Sequence, residues 1–262
     1  MSTQRTFTAA VDGPVSIGVM SGIGEVRVTV DSTAVRATAA VSTGAPDGPL
    51  AKAVRDATSI NETGDGQPRM YVEIPDVAAR VVRSGGSTYN FAGRVAVSDV
   101  TVGSVRKSVF TVSSAGECDS RDTDTITVHV TVPPDSSVVL DTKSANLRVD
   151  GDLHVLGFRT VSGSVTADGV NILVGGTASG AVTAGHVKSA AKVKTESGDV
   201  TVNAYSGDSL EVETGSGTVE VTATTQACGP AAITTVSSIA LVHGATRLDL
   251  QGQSVTGRVV PL

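Results

Sequence analysis

The chain has 262 residues, of which 40% are apolar but only 3% are aromatic, and tryptophan is absent. A core built from Val, Ala, Ile, Leu and Thr suits a thin repeat stack better than a thick globular interior. The formal net charge of −6 excludes the basic surface that nucleic-acid binding requires, and it does not favour anionic membrane surfaces.

The sequence predicts no membrane insertion. Its first residues begin no apolar h-region, so we expect no secretory signal. No run of about 18 apolar residues occurs, so we expect no transmembrane helix. These features favour a cytoplasmic protein, or a virion protein if the source is a phage. Cys118 and Cys228 form no Cys-x-x-Cys motif, and two free thiols are favoured over a single disulfide.

The N-terminal half is predicted to be irregular β-structure with one short helix. Strands are predicted at residues 7–11, 15–19, 34–42 and 70–74. Residues 50–57 place apolar side chains three and four apart, which indicates a helix. Residues 61–68 are predicted as a polar turn or loop. Residues 15–30 are interpreted as a degenerate copy of the repeat described below, with Ser21 in the place of its central serine.

Residues 78–124 form the least regular section and are interpreted as an insertion. The Gly-rich turn at residues 84–87 lacks the context of a phosphate-binding loop. Further strands are predicted at 95–105 and 107–112, followed by an acidic loop around Cys118. Repeat folds often place binding functions on such loops. Residues 125–132 then alternate cleanly between apolar and polar, which predicts a half-buried strand.

One pattern recurs from residue 140 to the end: apolar, x, Thr, x, Ser, Gly, x, Val, x, Val. We take the serine as position 0. The six serines are spaced 18, 17, 18, 19 and 21 residues apart, and a threonine stands at position −2 in every copy. Such a period indicates a repeat architecture. The serines are Ser144, Ser162, Ser179, Ser197, Ser216 and Ser237, and the threonines are Thr142, Thr160, Thr177, Thr195, Thr214 and Thr235.

The pleat of a β-strand explains the pattern. Positions −4, −2 and 0 share one face of a strand, and positions +3 and +5 share one face of the next. The Ser-Gly step between them is predicted as a tight turn, in which Gly tolerates positive φ. Because one such unit cannot bury its apolar side alone, the copies must stack on one another.

The predicted fold class is therefore all-β: a right-handed β-solenoid or β-helix-like stack of two-strand repeats of about 18 residues. It carries an irregular β-rich N-terminal part and one short helix. We expect one domain over residues 1–262. Residues 7–134 supply the N-terminal strands with the insertion near 78–124, and residues 135–262 supply the regular repeats.

The Thr and Ser columns are predicted to be a structural ladder, with hydroxyls bonded to one another or to the turn backbone. A reactive hydroxyl row needs a base beside it, and none recurs. His129, His154, His186 and His243 fall at unrelated positions. We therefore predict no catalytic, cofactor-binding or metal-binding residues and no cofactor.

Outward position +4 is rich in threonine. Such a flat row either binds a regular partner, such as a glycan or another β surface, or is an ordinary solvent-facing strand position. The residues at this position are Arg148, Thr166, Thr183, Thr201, Glu220 and Leu241.

The strand that ends in Val-Pro-Pro-Asp-Ser (132–136), followed by the Thr-x-Ser-Gly-x-Val-x-Val repeats, resembles the bacterial β-strand-repeat "putative adhesin" family of unknown function, which is grouped with toast-rack-like domains. The resemblance covers most of the chain and is strongest over residues 125–242. It implies a β-solenoid-like stack, and it supplies no catalytic residues.

These features predict a non-enzymatic structural or interaction scaffold that presents a rigid β surface to a protein or glycan partner. The first alternative is a structural component of a larger assembly, such as a phage virion or a surface fibre. A polysaccharide-acting enzyme ranks last of the three, because the sequence distinguishes no pair of carboxylates that could cleave a glycosidic bond. Self-association into a homo-oligomer would separate the first two.

Overall fold

The computed structural model describes residues 2–63, 68–76, 80–84, 87–91, 101–102, 105–106, 125–237, 239–244, 247–256 and 258–261. The predicted helix is confirmed, one residue earlier than expected. The predicted turn at 61–68 is wrong at its start, because a strand extends to residue 62. The N-terminal elements are β1 (Thr3–Thr8), β2 (Ser16–Ser21), β3 (Glu25–Val30), β4 (Thr38–Thr43), α1 (Pro49–Asp56), β5 (Thr58–Glu62) and β6 (Arg69–Glu73).

Within the predicted insertion, four short strands belong to the described residues, in two separate hairpins. The rest of the section, including Cys118 and the strand predicted at 107–112, lies outside the described residues. The strands are β7 (Arg80–Ser84), β8 (Ser87–Phe91), β9 (Thr101–Val102) and β10 (Val105–Arg106).

Twelve strands follow among the described residues, β11 and then the eleven strands of the repeats. β13, β14 and β15 contain 15, 13 and 14 residues. Each of these long strands passes from one sheet of the stack to the other without an intervening loop. The strands are β11 (Ile126–Val132), β12 (Ser137–Thr142), β13 (Asn146–Thr160), β14 (Val165–Thr177), β15 (Val182–Thr195), β16 (Val200–Tyr205), β17 (Ser209–Thr214), β18 (Val219–Ala223), β19 (Gly229–Thr235), β20 (Ile239–His243), β21 (Leu248–Ser254) and β22 (Arg258–Pro261).

The strands form a β-solenoid of about six turns, as predicted. We call the side whose strands end in the threonine column the front sheet. It runs β5, β6, β2, β12, then the second halves of β13 to β15, then β17, β19 and β21. The back sheet runs β1, β4, β11, β3, then the first halves of β13 to β15, then β16, β18, β20 and β22.

The core is the space between the two sheets. The apolar side chains at positions −4, +3 and +5 are buried in nearly every copy, as the pattern predicts. Fully burying one valine or leucine contributes about 1.5–3 kcal/mol, so a few such side chains per turn give the stack its stability. The alternation in β11 is confirmed too, because Ile126, Val128, Val130 and Val132 are buried while His129 is exposed.

Residues 15–30 form a copy of the repeat, as predicted, but the predicted register of this copy is wrong by two residues. Ser21 pairs with Thr142, and not with Ser144. Ser21 therefore occupies the threonine position, and Val26 pairs with Leu147 at position +3. Val28 likewise pairs with Val149 at position +5, so this copy has the spacing of the others, with a buried serine in place of the threonine.

This N-terminal turn is held by strands that lie far away in sequence. On the back sheet, β3 lies between β11 and β13, and on the front sheet β2 lies between β6 and β12. The chain therefore crosses from β11 to β12 over the β2–β3 turn. Beyond it, β4 and β1 pair antiparallel on the back sheet and β5 on the front sheet, so the N-terminal end does not repeat.

Candidate binding surfaces

The threonine column closes the turns. All six threonines end a front-sheet strand and are at most 5% exposed. In the first four copies the hydroxyl oxygen accepts a hydrogen bond, 2.8–3.0 Å long, from the backbone N–H three residues later. In the fifth copy Thr214 instead donates to the carbonyl of Ser216, as Ser21 does to Ile23.

The serine column is exposed, so the prediction that it shares the inward face of the threonines is wrong. The pleat stops at the threonine, and the serine lies in the turn. In four copies the hydroxyl donates, over 3.2–3.4 Å, to a carbonyl of the preceding turn of the solenoid. We propose that both columns are structural, with the threonines closing each turn and the serines joining neighbouring turns.

Replacing one threonine tests this role. Thr195→Val keeps the size of the side chain but leaves the buried N–H of Gly198 without its acceptor. We expect the free energy of unfolding to fall by about 1–3 kcal/mol, measured by urea denaturation. Thr201→Val, on the outward side of the same turn, is the control and should stay within about 0.5 kcal/mol. Equal effects of the two variants would contradict the role.

The glycine column, which is the set of glycines at position +1 of the repeat, allows neighbouring turns to pack closely. Gly163, Gly180 and Gly198 do not have φ in the left-handed region, so the predicted reason for these glycines is wrong. A Cβ added to any of them would overlap with the backbone carbonyl oxygen of the preceding turn. Gly217 alone among the column's glycines combines this close approach with a positive φ of 130°.

Reactive groups do not assemble into a recognisable catalytic or metal centre in the part of the chain that the structure describes. His186 Nε2 lies 3.1 Å from Ser206 Oγ, and that hydroxyl also bonds to Thr224. No three His, Cys, Asp or Glu side chains converge among the described residues. Burial raises the pKa of Tyr205 to about 12, so this phenol stays neutral and does not act as a base.

The outer surface of the front sheet carries an apolar patch. Met20, Tyr71, Val139 and Val174 point outward and are 36–48% exposed. Glycines alternate with them across neighbouring strands, and the ring of Tyr71 lies against Gly18, 2.6 Å from where a Cβ would be. We define the front patch as Gly18, Met20, Tyr71, Val139, Gly157, Val174 and Gly176.

Charged residues adjoin the front patch. On the strands that follow it, Lys192 pairs with Glu211 at 2.7 Å and Lys194 pairs with Glu213 at 2.8 Å. The Glu213 carboxylate raises the pKa of Lys194, and Lys194 lowers the pKa of Glu213. These pairs are exposed and screened by solvent, so they order the surface more than they stabilise the fold.

The outer surface of the back sheet is polar. Thr166, Thr183 and Thr201 are in register on adjacent strands, so their side chains repeat about every 4.8 Å. Ser164, Asp168, Asp199 and Asn203 flank this threonine row in the outward positions on either side. The back sheet therefore presents hydroxyl, carboxylate and amide groups, and its threonines are those that the sequence has at position +4.

Comparison with known proteins finds one matching family model and several similar solved structures. The family model described as Toastrack DUF4097 matches residues 97–259. No curated protein matches the chain significantly. No helix among the described residues is long and apolar enough to span a bilayer.

Solved bacterial structures match along nearly their whole length. One from Bacteroides fragilis, a "putative adhesin", is 12% identical with a TM-score of 0.48, covering 99% of this chain and 97% of that chain. A "putative lipid binding protein" from Parabacteroides distasonis is 13% identical with a TM-score of 0.48 and the same coverage. A "putative cell adhesion protein" from Clostridium sporogenes is 8% identical with a TM-score of 0.43, covering 100% and 98%.

Proposed function

Because the chain belongs to the Toastrack DUF4097 family, whose repeats build the solenoid described above, we propose that it is a non-enzymatic scaffold that presents a rigid β surface to a binding partner. The binding surface is the outer face of the back sheet. The observation that carries the proposal is the in-register row of Thr166, Thr183 and Thr201.

A rigid, regular polar surface suits a partner that is itself regular and polar. Each strand under the threonine row is paired on both sides, so the hydroxyl positions are fixed before binding. Such preorganisation lowers the entropic cost of association. A glycan offers hydroxyl groups that both donate to and accept from Thr, Asn and Asp side chains. We therefore propose a glycan as the partner class, with a protein as the alternative outcome of the test.

The test uses the labelled protein on a glycan array and a variant that lacks the three hydroxyls, Thr166→Val/Thr183→Val/Thr201→Val. We expect at least one glycan class to bind, and the variant to lose about tenfold or more in affinity as three hydrogen bonds disappear. Thr234→Val, which removes an exposed hydroxyl from the front sheet, is the matched control. Glycan binding that the triple variant leaves unchanged would overturn the assignment of the back sheet. Capture of a protein without any glycan binding would change the partner class.

The second candidate is a structural component of a larger assembly. The exposed apolar front patch favours it, since contiguous apolar surface marks interaction sites. Electron microscopy of the purified chain separates the two candidates. Ordered fibres or shells would support the assembly role, and discrete particles would support the binding scaffold.

A further inference from the structure

The front patch is complementary to itself. Consider two copies packed front sheet to front sheet, related by a two-fold axis that is parallel to the strands and lies between β12 and β13. Such an axis places each residue of one strand opposite the residue of the same column on the mirrored strand of the other copy. β12 then faces β13, β2 faces β14, and β6 faces β15. The strand registers on the front sheet give these columns directly.

Side-chain size matches across this axis. Val139 of one copy faces Gly157 of the other, and Val174 faces Gly18 with the Tyr71 ring that lies against it. Met20 faces Gly176 in the neighbouring column. Val139 and Met20 therefore each meet a glycine, which favours the interdigitation that packed sheets need at about 10 Å separation.

Charge matches across the same axis. Asp141 faces Arg159, and Glu73 faces Lys194. Asp141 and Arg159 are neighbours on adjacent strands of one chain, but among the ion pairs of the described residues none joins them, so both are available to a partner. Tyr71 faces Lys192, an arrangement that suits a cation–π contact.

A two-fold axis perpendicular to the strands fits poorly when it passes through the column of Asp141. It would then place Asp141 on Asp141, Arg159 on Arg159 and Lys194 on Lys194 of the second copy. Like charges in contact cost several kcal/mol in an interface. The charges of the front sheet thus favour the axis parallel to the strands over this perpendicular one.

The available area is that of a specific complex. Four strands lie on one side of the axis and at least four on the other, so eight strands of each copy overlap. At about 4.8 Å per strand and about 20 Å along six residues, the overlap covers roughly 770 Å² per copy. A standard specific interface buries about 800 Å² per partner.

We propose that this protein is a homodimer that pairs through the front patch, with Asp141 opposite Arg159 and Glu73 opposite Lys194 of the second copy. The dimer leaves both back sheets exposed on opposite sides, so it is independent of the proposed glycan surface and would make that surface bivalent.

Charge reversal tests the pairing. By sedimentation velocity over about a hundredfold range of concentration, the unmodified chain should be a dimer that dissociates on dilution. Asp141→Arg places arginine opposite arginine twice and should weaken the dimer about tenfold or more. The swap Asp141→Arg/Arg159→Asp restores opposite charges and should restore the dimer. Thr166→Arg, which adds a charge to the back sheet, should have no effect. Circular dichroism confirms that each variant is folded.

Zero-length carbodiimide cross-linking tests the geometry. Within one chain, Glu73 and Lys194 are separated by five strand spacings, about 24 Å, which is too far for a direct amide bond. A Glu73–Lys194 cross-link between isotopically light and heavy chains is the expected product. A monomer at every concentration overturns the proposal. A dimer that is unaffected by Asp141→Arg, or that lacks this cross-link, overturns it as well.

Discussion

Gly180→Ala is expected to lower the free energy of unfolding by about 3 kcal/mol, near the upper end of typical overpacking costs. The added Cβ would overlap with the carbonyl oxygen of Gly163 in the preceding turn. That oxygen belongs to backbone, so it does not move aside as a flexible side chain would. The two turns must separate, and the neighbouring hydrogen bond between Thr177 and the Gly180 N–H is lost with them. Urea denaturation in dilute protein measures the change.

Gly157→Ala is the matched control. A Cβ at this position would lie 3.4 Å from the Cγ2 atom of Val139, which is an ordinary van der Waals contact. Because alanine reduces the conformational freedom of the unfolded chain, this variant should be neutral or stabilising by up to about 1 kcal/mol. Similar losses of unfolding free energy in both variants would contradict this explanation. They would show that the cost comes from replacing any glycine and not from the close contact between Gly180 and the carbonyl oxygen of Gly163.

Phe158 and Gly175 are expected to show a strong energetic coupling. They are in register at position −4 on adjacent strands, where the other copies carry Leu, Val or Ile. The phenylalanine ring fills the space above the glycine. A Cβ on Gly175 would overlap with the backbone carbonyl oxygen of Phe158 and would lie 2.5 Å from Cδ1 and 2.6 Å from Cγ of the ring. One oversized residue is thus compensated by one that has no side chain.

A double-mutant cycle measures this coupling. Phe158→Val leaves a cavity and should cost about 2–4 kcal/mol. Gly175→Ala in the native chain should also be destabilising by about 2 kcal/mol, since it overpacks the site. In the Phe158→Val background the same Gly175→Ala change should cost about 1 kcal/mol less, because the ring contacts are gone while the contact with the backbone carbonyl oxygen of residue 158 stays. Ile233→Val combined with Gly175→Ala is the control, because Ile233 lies in the same column three strands away and the two effects should add. Additive effects of Phe158→Val and Gly175→Ala would contradict the compensation.

Much of the architecture follows from the sequence alone. The period near 18 residues, the buried columns and the helix were all predictable, because each depends on the local pleat or on a repeat that is visible in one dimension. For the threonines, the sequence predicted hydrogen bonds either to one another or to the turn backbone, and in the first four copies the structure shows the bond to the backbone N–H that closes the turn. The threonine row on the back sheet was also visible, since outward positions alternate with the buried valines.

Other features depend on contacts between turns and were decided by the tertiary structure. Serines point outward because each strand ends at its threonine, and the glycines are required because a neighbouring carbonyl lies against them. Ser21 takes the threonine position because β2 is paired between β6 and β12, strands that are distant in sequence. The front patch joins Tyr71, Gly18 and Val139, which no local pattern links. The sequence by itself determined what repeats; only the stacking of distant strands decided register, close approach and the surface that the repeats share.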